Sequence, residues 1–350
     1  MNFKLAIRYF LFFYLLLAFL GCSKKAKQQD PLPNTFGVYV AGYEVNSKGM
    51  PTAKYWKDGI GTAIGSNTYE SRASSILVAG NDIYVAGIEV NARGRSVAKY
   101  WKNGVGRDLT DGTNFANANS IYVVGSDVYV AGSEYVASGQ IAKYWKNGNA
   151  VSLNEGSTNP ADANSICVSG TDVYVAGYVA GRAQFWKNGV ATILTDATRF
   201  GYANSVFVSG NDVYVVGYQE NYNGNQFVKY WKNGIEAKLT DGESKEYAYS
   251  IYVSNNDVYV TGEELNENGI SVAKFWKNGV AINLTDGTHM AYASSIFVSG
   301  TDVYISGYES NVPGKDYARG KVVAKYWKNG KAMNLTNGTA DARVNSIFVK

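Results

Sequence analysis

Residues 119–153 read NSIYVVGSDVYVAGSEYVASGQIAKYWKNGNAVSL, and this stretch decides the fold. It contains four short runs rich in Val, Ile and Tyr, at 119–125, 126–132, 141–148 and 150–153, which predict four consecutive β-strands. We call these strands A, B, C and D. Asn147-Gly148 joins strands C and D, and Asn-Gly supplies the positive φ angles that a tight hairpin needs. The stretch therefore predicts a small antiparallel sheet of four strands.

The same stretch recurs along the chain. All 7 Trp belong to one phrase, of which AKYWKNG at 98–104 is a clear copy. Successive Trp residues are 45, 44, 41, 45, 45 and 51 positions apart. A period of about 45 residues with four strands is typical of a β-propeller blade. The sequence therefore predicts an all-β fold, a seven-bladed β-propeller with four antiparallel strands per blade.

The two ends of the repeat array predict how the ring closes. The array starts on a B strand near Val38 and finishes on an A strand at 345–349. An open array would leave an unpaired strand edge at each end, which favours aggregation. We therefore expect the C-terminal strand to complete the first blade by pairing 345–349 with 38–41.

The first residues predict export. Lys4 and Arg8 precede an apolar run at 9–20, and Gly21-Cys22 follows directly. That run is shorter than the roughly 20 residues of a membrane span, so residues 1–21 are expected to be a signal peptide. Cys22 after the small residue resembles the bacterial lipobox. The resemblance implies that Cys22 is lipidated and that residues 22–35 are a polar tether, with the lipid in the outer membrane of a two-membrane bacterium.

Residues 36–350 resemble the β-propeller superfamily of exported bacterial lipoproteins, without the phrases of WD40 or kelch blades. The resemblance implies a monomeric propeller in the cell envelope, held to the membrane through Cys22. The formal net charge of +4 comes from the leader and tether, so the propeller itself is neutral. A neutral domain gives no electrostatic reason to bind nucleic acid. No motif calls for a cofactor or a metal ion.

Residues that every blade repeats are expected to serve packing. Each Trp is expected to fill the wedge between neighbouring sheets, and the Lys residues beside it to lay their aliphatic stems over the sheet. The Asp of each A–B turn, such as Asp82, is expected to stabilise the turn through its own backbone. Cys167 occupies a slot that large hydrophobic residues hold in other blades, which predicts a buried role.

Variation between copies marks the candidate site. The B–C and D–A connections share one end of the propeller and differ in length and composition, whereas the other end is nearly uniform. Function concentrates on variable loops held by a rigid scaffold. The residue three positions before the Ser of each A strand varies most, and we call these seven the rim residues: Arg72, Asn117, Asp162, Tyr202, Tyr247, Tyr292 and Arg343. Three Tyr opposite polar residues predict a binding pocket around the central opening.

Two classes of function fit these residues. The first and preferred one is a membrane-anchored binding scaffold without enzymatic activity, whose B–C and D–A loops recognise an envelope protein or a glycan. Tyr and Arg are favoured interface anchors, and the long loop before the last blade's C strand offers Lys315, Asp316, Tyr317 and Arg319.

The second class is a polysaccharide-acting hydrolase or lyase with its site in the central opening. It needs two carboxylates there, and Asp162 and Glu246 are the available acids. No G-x-S-x-G motif occurs, and a Ser-His-Asp triad would depend on His289 alone, because the chain has 1 His. On these grounds the sequence favours the binding scaffold.

Overall fold

The computed structural model describes residues 37–350 apart from 197, 221–225, 238, 241–244 and 315–319. The predictions for the signal peptide, for lipidation of Cys22 and for the tether lie outside the described residues. So do the loop residues Lys315, Asp316, Tyr317 and Arg319. Within the described part of the chain, no helix is long and apolar enough to cross a membrane.

Seven antiparallel sheets of four strands form the described structure, which confirms the predicted seven-bladed β-propeller. Each sheet is one blade, and its strands run in the order A, B, C, D. Blade 1 consists of β28 (Ala342–Val349), β1 (Val38–Val45), β2 (Pro51–Lys57) and β3 (Ile60–Ala63). Blade 2 consists of β4 (Ser71–Ala79), β5 (Asp82–Val90), β6 (Ser96–Lys102) and β7 (Val105–Asp108).

The remaining blades repeat this order. Blade 3 consists of β8 (Ala116–Val124), β9 (Asp127–Val136), β10 (Gly139–Lys146) and β11 (Asn149–Ser152). Blade 4 consists of β12 (Ala161–Ser169), β13 (Asp172–Val179), β14 (Arg182–Lys187) and β15 (Val190–Ile193). Blade 5 consists of β16 (Gly201–Ser209), β17 (Asp212–Glu220), β18 (Gln226–Lys232) and β19 (Ile235–Ala237). Blade 6 consists of β20 (Glu246–Ser254), β21 (Asp257–Leu265), β22 (Ser271–Lys277) and β23 (Val280–Asn283). Blade 7 consists of β24 (Ala291–Ser299), β25 (Asp302–Ser310), β26 (Val322–Lys328) and β27 (Lys331–Asn334).

The C-terminal strand closes the ring as predicted. Strand β28 pairs antiparallel with β1, and the pairing joins Val38 to Val349 and Ala41 to Ser346. Backbone hydrogen bonds between Gly37 and Lys350, at 2.9 and 3.1 Å, extend the pairing beyond the strands. The first and last segments of the propeller therefore share one blade.

A ring of serine hydroxyls links the blades around the centre. Each A strand contacts the A strands of both neighbouring blades, which places it innermost. A Ser in the middle of strand A accepts the backbone N–H of an A-strand residue in the next blade, at 3.1–3.4 Å. The acceptor and donor pairs are Ser75 and Ile121, Ser120 and Ile166, Ser165 and Val206, Ser205 and Ile251, Ser250 and Ile296, Ser295 and Ile347, and Ser346 and Ile76. These bonds fix the order of the blades.

The repeated Trp residues are packing residues, as predicted. Each is exposed by 2% or less. Trp145 of blade 3, for example, packs with Ala86 and Ala98 of blade 2. A buried Trp removes about 150–250 Å² from water, so the seven Trp supply a large part of the apolar contact between blades.

The Asp of the A–B turn acts across the blade and does not stabilise its own turn, which corrects the prediction. In blade 2, Asp82 accepts hydrogen bonds from Asn103 Nδ2 and from Lys102 Nζ, both at 2.7 Å. Asn103 Oδ1 accepts the N–H of Ile83 at 2.8 Å. The ion pair with Lys102, together with the bond from Asn103, lowers the pKa of Asp82. The same contacts recur in blades 3 to 7, so they tie the A–B turn to the C–D turn.

A β-bulge in strand A shapes the inner edge of each blade. The pairing of β20 with β21 shifts register between Ala248 and Ser250, and the other A strands shift at the same position. A Gly of strand B lies opposite each bulge. A Cβ on Gly262 would be 1.7 Å from the carbonyl oxygen of Tyr247, so only Gly lets the two strands approach there.

Candidate functional site

The seven rim residues lie at the start of the A strands and pair with seven residues of the B strands. We call the ring formed by both sets the mouth of the propeller. The pairs, rim residue first, are Arg72 and Ile88, Asn117 and Ser133, Asp162 and Tyr178, Tyr202 and Tyr218, Tyr247 and Glu263, Tyr292 and Tyr308, and Arg343 and Tyr43.

Rim side chains contact the B-strand residue of the preceding blade. Tyr202 lies edge-on to Tyr178, with ring centroids 4.6 Å apart, and Tyr247 lies edge-on to Tyr218 at 6.2 Å. The two rim arginines stack on rings in the same way. Arg343 lies 5.2 Å from the Tyr308 ring centroid, and Arg72 lies 4.8 Å from that of Tyr43. The structure therefore brings rim residues from different blades into one ring of contacts.

Tyrosine rings form a continuous wall over blades 4 to 6, and the predicted Tyr202 and Tyr247 belong to it. The third predicted tyrosine, Tyr292, stacks on Tyr308 of its own blade at 4.9 Å. Tyr202 and Tyr218 are 5.0 Å apart and connect the two interblade contacts, so the wall runs from Tyr178 to Tyr247. Burial raises the pKa of Tyr178 to about 12, so this hydroxyl stays protonated at neutral pH. The wall offers flat apolar faces with hydroxyl groups at their edges.

Asp162 lies at one end of this wall, inside a polar cage. Its Oδ1 accepts hydrogen bonds from Asn119 Nδ2 and from the N–H of Ala163, both at 2.9 Å. Its Oδ2 accepts a weaker bond from Gln140 Nε2 at 3.3 Å. Burial raises the pKa of Asp162 to about 6, against the opposing effect of hydrogen bonds from Ser133 and these neighbours. The donors are neutral, so the carboxylate keeps its full negative charge when ionised.

Glu263 lies at the other end, on β21 beside Tyr247. Its side chain is buried, and its Oε1 accepts a hydrogen bond from Tyr249 Oη at 3.1 Å. Burial raises the pKa of Glu263 to about 8, and the bond from Tyr249 only partly opposes this. Its Oε2 is buried without a hydrogen-bond partner, which favours the protonated acid.

Tyr249 of blade 6 bonds to Glu263 of its own blade, whereas Asn residues at the same position in four other blades bond to the next blade. In four blades the residue at the bulge is Asn, whose Nδ2 donates to an Ala carbonyl of the next blade at 2.7–3.0 Å. Blade 6 has Tyr249 at this position, and its hydroxyl turns to the carboxyl of Glu263 instead. Blade 6 therefore gives up one blade-to-blade hydrogen bond and gains a polar pair at the mouth.

Glu246 does not supply the second acid that the sequence suggested. It pairs with Glu264 and lies one residue before Tyr247, so its side chain points to the opposite face of β20. There it is buried near Lys274, which forms an ion pair with Glu264. The second acid of the mouth is Glu263.

Sequence comparison of the copies could have found Glu263. The equivalent strand-B residues are Tyr43, Ile88, Ser133, Tyr178, Tyr218 and Tyr308, so Glu263 is the one acid in this set. The prediction took its two acids from the D–A connections and the start of strand A, and it overlooked strand B for that reason.

The two single residues take no part in this arrangement. Cys167 is buried, as predicted, and burial raises the pKa of its thiol. His289 Nδ1 lies 2.8 Å from Thr288 Oγ1, and the backbone of His289 pairs with that of Gly314. Among the described residues, no three His, Cys, Asp or Glu side chains are grouped so that they could hold a metal ion.

Comparison with known proteins yields the fold and no family. No family model matches the chain, and no curated protein matches it. Among solved structures, the β-propeller domain of the trilobed protease from Pyrococcus furiosus is 12% identical, with a TM-score of 0.52, over 86% of this chain and 95% of that one. A puromycin-hydrolysing peptidase from Mycobacterium tuberculosis is 13% identical, with a TM-score of 0.50, over 77% of this chain and 47% of that one. An acylaminoacyl peptidase from Pyrococcus horikoshii is 13% identical, with a TM-score of 0.49, over 86% of this chain and 51% of that one.

These matches correct the functional prediction. Two propellers that resemble this chain belong to peptidases, which contradicts the prediction of a binding scaffold without enzymatic activity. At 12–13% identity the likeness shows the fold alone, and the chain spans about half the length of two of these peptidases. The Pyrococcus furiosus domain is described as having an open velcro topology, whereas β28 closes the ring here.

Proposed function

We propose that this propeller is a hydrolase that cleaves a glycosidic bond in its mouth, with Glu263 as the general acid and Asp162 as the general base. One observation carries the proposal: two carboxyl groups with pKa values set apart by their surroundings lie at the two ends of one tyrosine wall. Such a pair of titrating groups is typical of acid–base catalysis.

The two environments assign the roles. With its pKa raised by burial to about 8, Glu263 is mostly protonated at pH 7 and can give a proton to the leaving oxygen. With its pKa raised by burial only to about 6, Asp162 is mostly ionised at pH 7 and can take a proton from water. The hydrogen bond from Tyr249 holds the Glu263 carboxyl in one orientation.

The placement of the two carboxyls in different blades argues against a peptidase pair that shares one proton. Asp162 belongs to blade 4 and Glu263 to blade 6, and the serine bonds place blade 5 between them. A peptidase carboxylate pair shares one proton at a distance of about 3 Å. Inverting glycosidases hold their carboxyls about 6.5–9.5 Å apart and admit a water molecule between them. The tyrosine faces between the two acids suit the flat apolar side of a sugar ring.

The rim residues then bind the sugar chain. Tyr202, Tyr247 and Tyr292 form stacking platforms, and Arg72, Asn117 and Arg343 offer hydrogen-bond donors on the opposite side of the mouth. An anchor at Cys22, where the leader predicts one, would hold the enzyme at the membrane, close to envelope glycans. The contacts of the rim residues with the sugar chain and the membrane anchor at Cys22 are both part of the proposal.

Hydrolysis of a polysaccharide panel tests the proposal. We expect the purified chain to release reducing ends at pH 7 from at least one polysaccharide. Glu263→Gln and Asp162→Asn should each lower the rate by about 100-fold or more, because loss of a general acid or base costs about 10²–10⁴. Glu267→Gln, at an exposed carboxyl four residues further along the same blade, is the matched control and should leave the rate unchanged. Full activity in Glu263→Gln would refute the assignment, and no hydrolysis of any polysaccharide would refute the function.

A further inference from the structure

A cavity of about 280 Å³ opens beside the mouth, at the junction of blades 4 and 5. Ala180, Gly181 and Arg182 line it from the B–C turn of blade 4, and Thr198, Arg199 and Phe200 line it from the connection that leads into β16. Phe200 comes two residues before the rim residue Tyr202. The cavity is therefore two residues along the chain from Tyr202 of the tyrosine wall.

A short B–C turn borders the cavity. In blades 1, 2 and 6 this connection has five residues, at 46–50, 91–95 and 266–270, whereas in blades 3 and 4 it has two, at 137–138 and 180–181. In blade 2 the longer loop brings Arg95 over Phe115, the counterpart of Phe200, at 4.5 Å from the ring centroid. No described arginine or lysine lies over Phe200 in this way, and Phe200 is 58% exposed.

The backbone of this turn is adapted to the aromatic ring. Ala180 has a φ of 54°, a left-handed value that costs energy in a residue with a side chain. A Cβ on Gly181 would lie 2.2 Å from the Phe200 ring, so the ring rests on bare backbone. The strain and the close approach hold Phe200 beside the cavity.

The cavity carries a positive charge. Arg182 and Arg199 both line it, and the Nε of Arg182 is buried without a hydrogen-bond partner. The nearby acid is Asp196, whose Oδ1 accepts bonds from the N–H and Oγ1 of Thr198 at 3.0 and 2.6 Å. None of the described residues that line the cavity is acidic, so Arg182 and Arg199 give its lining a positive charge. Guanidinium groups bind anions through charge-assisted hydrogen bonds, often two in parallel.

We propose that this cavity is a subsite for an anionic substituent, a carboxylate or a sulfate, on the sugar chain cleaved in the mouth. The anion accepts hydrogen bonds from Arg182 and Arg199 while the sugar ring that carries it lies against Phe200. This inference rests on the proposed function and specifies its substrate class as an acidic polysaccharide. Arginine binds carboxylate and sulfate oxygens through two parallel N–H bonds, so a neutral sugar cannot replace the anion.

Calorimetric binding to the Glu263→Gln chain tests the subsite without cleavage of the probe. The probes are hexagalacturonate, its methyl ester and a chondroitin sulfate hexasaccharide. Hexagalacturonate or the sulfated hexasaccharide should bind about ten-fold or more tightly than the ester, since loss of charge-assisted bonds costs at least that factor. Arg182→Gln and Arg199→Gln should each abolish the preference. Arg93→Gln, at an exposed arginine of the blade 2 loop, should retain it.

Every outcome decides between the two proposals. If the acidic probe and its ester bind equally, if no probe binds, or if the preference survives both arginine substitutions, the subsite is wrong. If the preference requires both arginines and the unmodified chain nevertheless cleaves none of the probes, the subsite stands and the proposed hydrolysis fails. Comparison of the sulfated hexasaccharide with its desulfated form, which keeps the carboxylates, identifies carboxylate or sulfate as the anion. Circular dichroism spectra of the variants establish that each is folded.

Discussion

Removal of residues 345–350 should destabilise the whole propeller. Strand β28 supplies the A strand of blade 1, and its loss leaves the inner edge of β1 without a partner. It also removes the hydroxyl of Ser346, which accepts the N–H of Ile76 in blade 2. Because blade 1 connects blades 2 and 7, the truncation opens the ring.

The structure sets the size of the effect. Ile347 and Val349 are exposed by only 4% and 5%, and burial of such a side chain is worth about 1.5–3 kcal/mol. Phe348 adds a ring contact with Phe297 at 5.0 Å, worth about 0.5–1.5 kcal/mol. With the unpaired backbone groups of β1 included, we expect a loss of about 5–10 kcal/mol, comparable with the whole stability of a typical domain.

Urea denaturation and thermal unfolding followed by circular dichroism measure this loss. The truncated chain should unfold at markedly lower urea concentration and temperature, or fail to fold at all. Lys350→Ala is the control, because it keeps the backbone bonds between Gly37 and residue 350 and should unfold almost like the unchanged chain. Coincident unfolding of truncated and complete chains would show that β28 does not hold the ring closed.

Two further predictions concern the mouth. Burial raises the pKa of Glu263 from 4.5 to about 8, so the folded state binds its proton more tightly than the unfolded state does. The contribution of this proton to the free energy of unfolding is complete below pH 4.5 and is lost as the pH rises to about 8. Melting temperatures from pH 5 to 9 should show this decline in the unchanged chain and a weaker one in Glu263→Gln; parallel curves would contradict the burial of this carboxyl. Gly262→Ala places a Cβ against the carbonyl oxygen of Tyr247 and should lower the free energy of unfolding in urea by at least about 1–3 kcal/mol. Gly269→Ala, in the exposed loop of the same blade, is the control, because its Cβ meets no atom within 4 Å and strains only its own backbone. A smaller loss at Gly262 than at Gly269 would argue against the close approach at the bulge.

The sequence predicts most of the fold because each blade repeats the same local signals. Alternating Val and Tyr define the strands, and Asn-Gly or Asp-Gly defines the C–D hairpin, as at Asn103 with its φ of 52°. Ring closure followed from the strand left over at each end. The bulge could not be predicted, because it depends on how close strand A comes to a Gly of strand B.

The candidate site was only partly predictable. The variable rim residues marked the mouth, and Asp162 was among them. The cage around Asp162 is built by Asn119 and Gln140 of the preceding blade, a contact that sequence spacing does not reveal. Glu263 sits in a strand position whose counterparts are mostly Tyr, so comparison of the copies marks it as unusual, while its place in the mouth follows from its pairing with Tyr247.

The pH dependence of kcat/KM on a cleaved polysaccharide tests the central claim most directly. If Asp162 takes a proton and Glu263 gives one, the rate should rise with pH through about 6, reach its maximum near pH 7 and fall through about 8. Glu263→Gln should lower the rate strongly and remove the fall at high pH, and Asp162→Asn should remove the rise at low pH. A bell-shaped profile that both variants keep would contradict the assignment of acid and base to these two carboxyls.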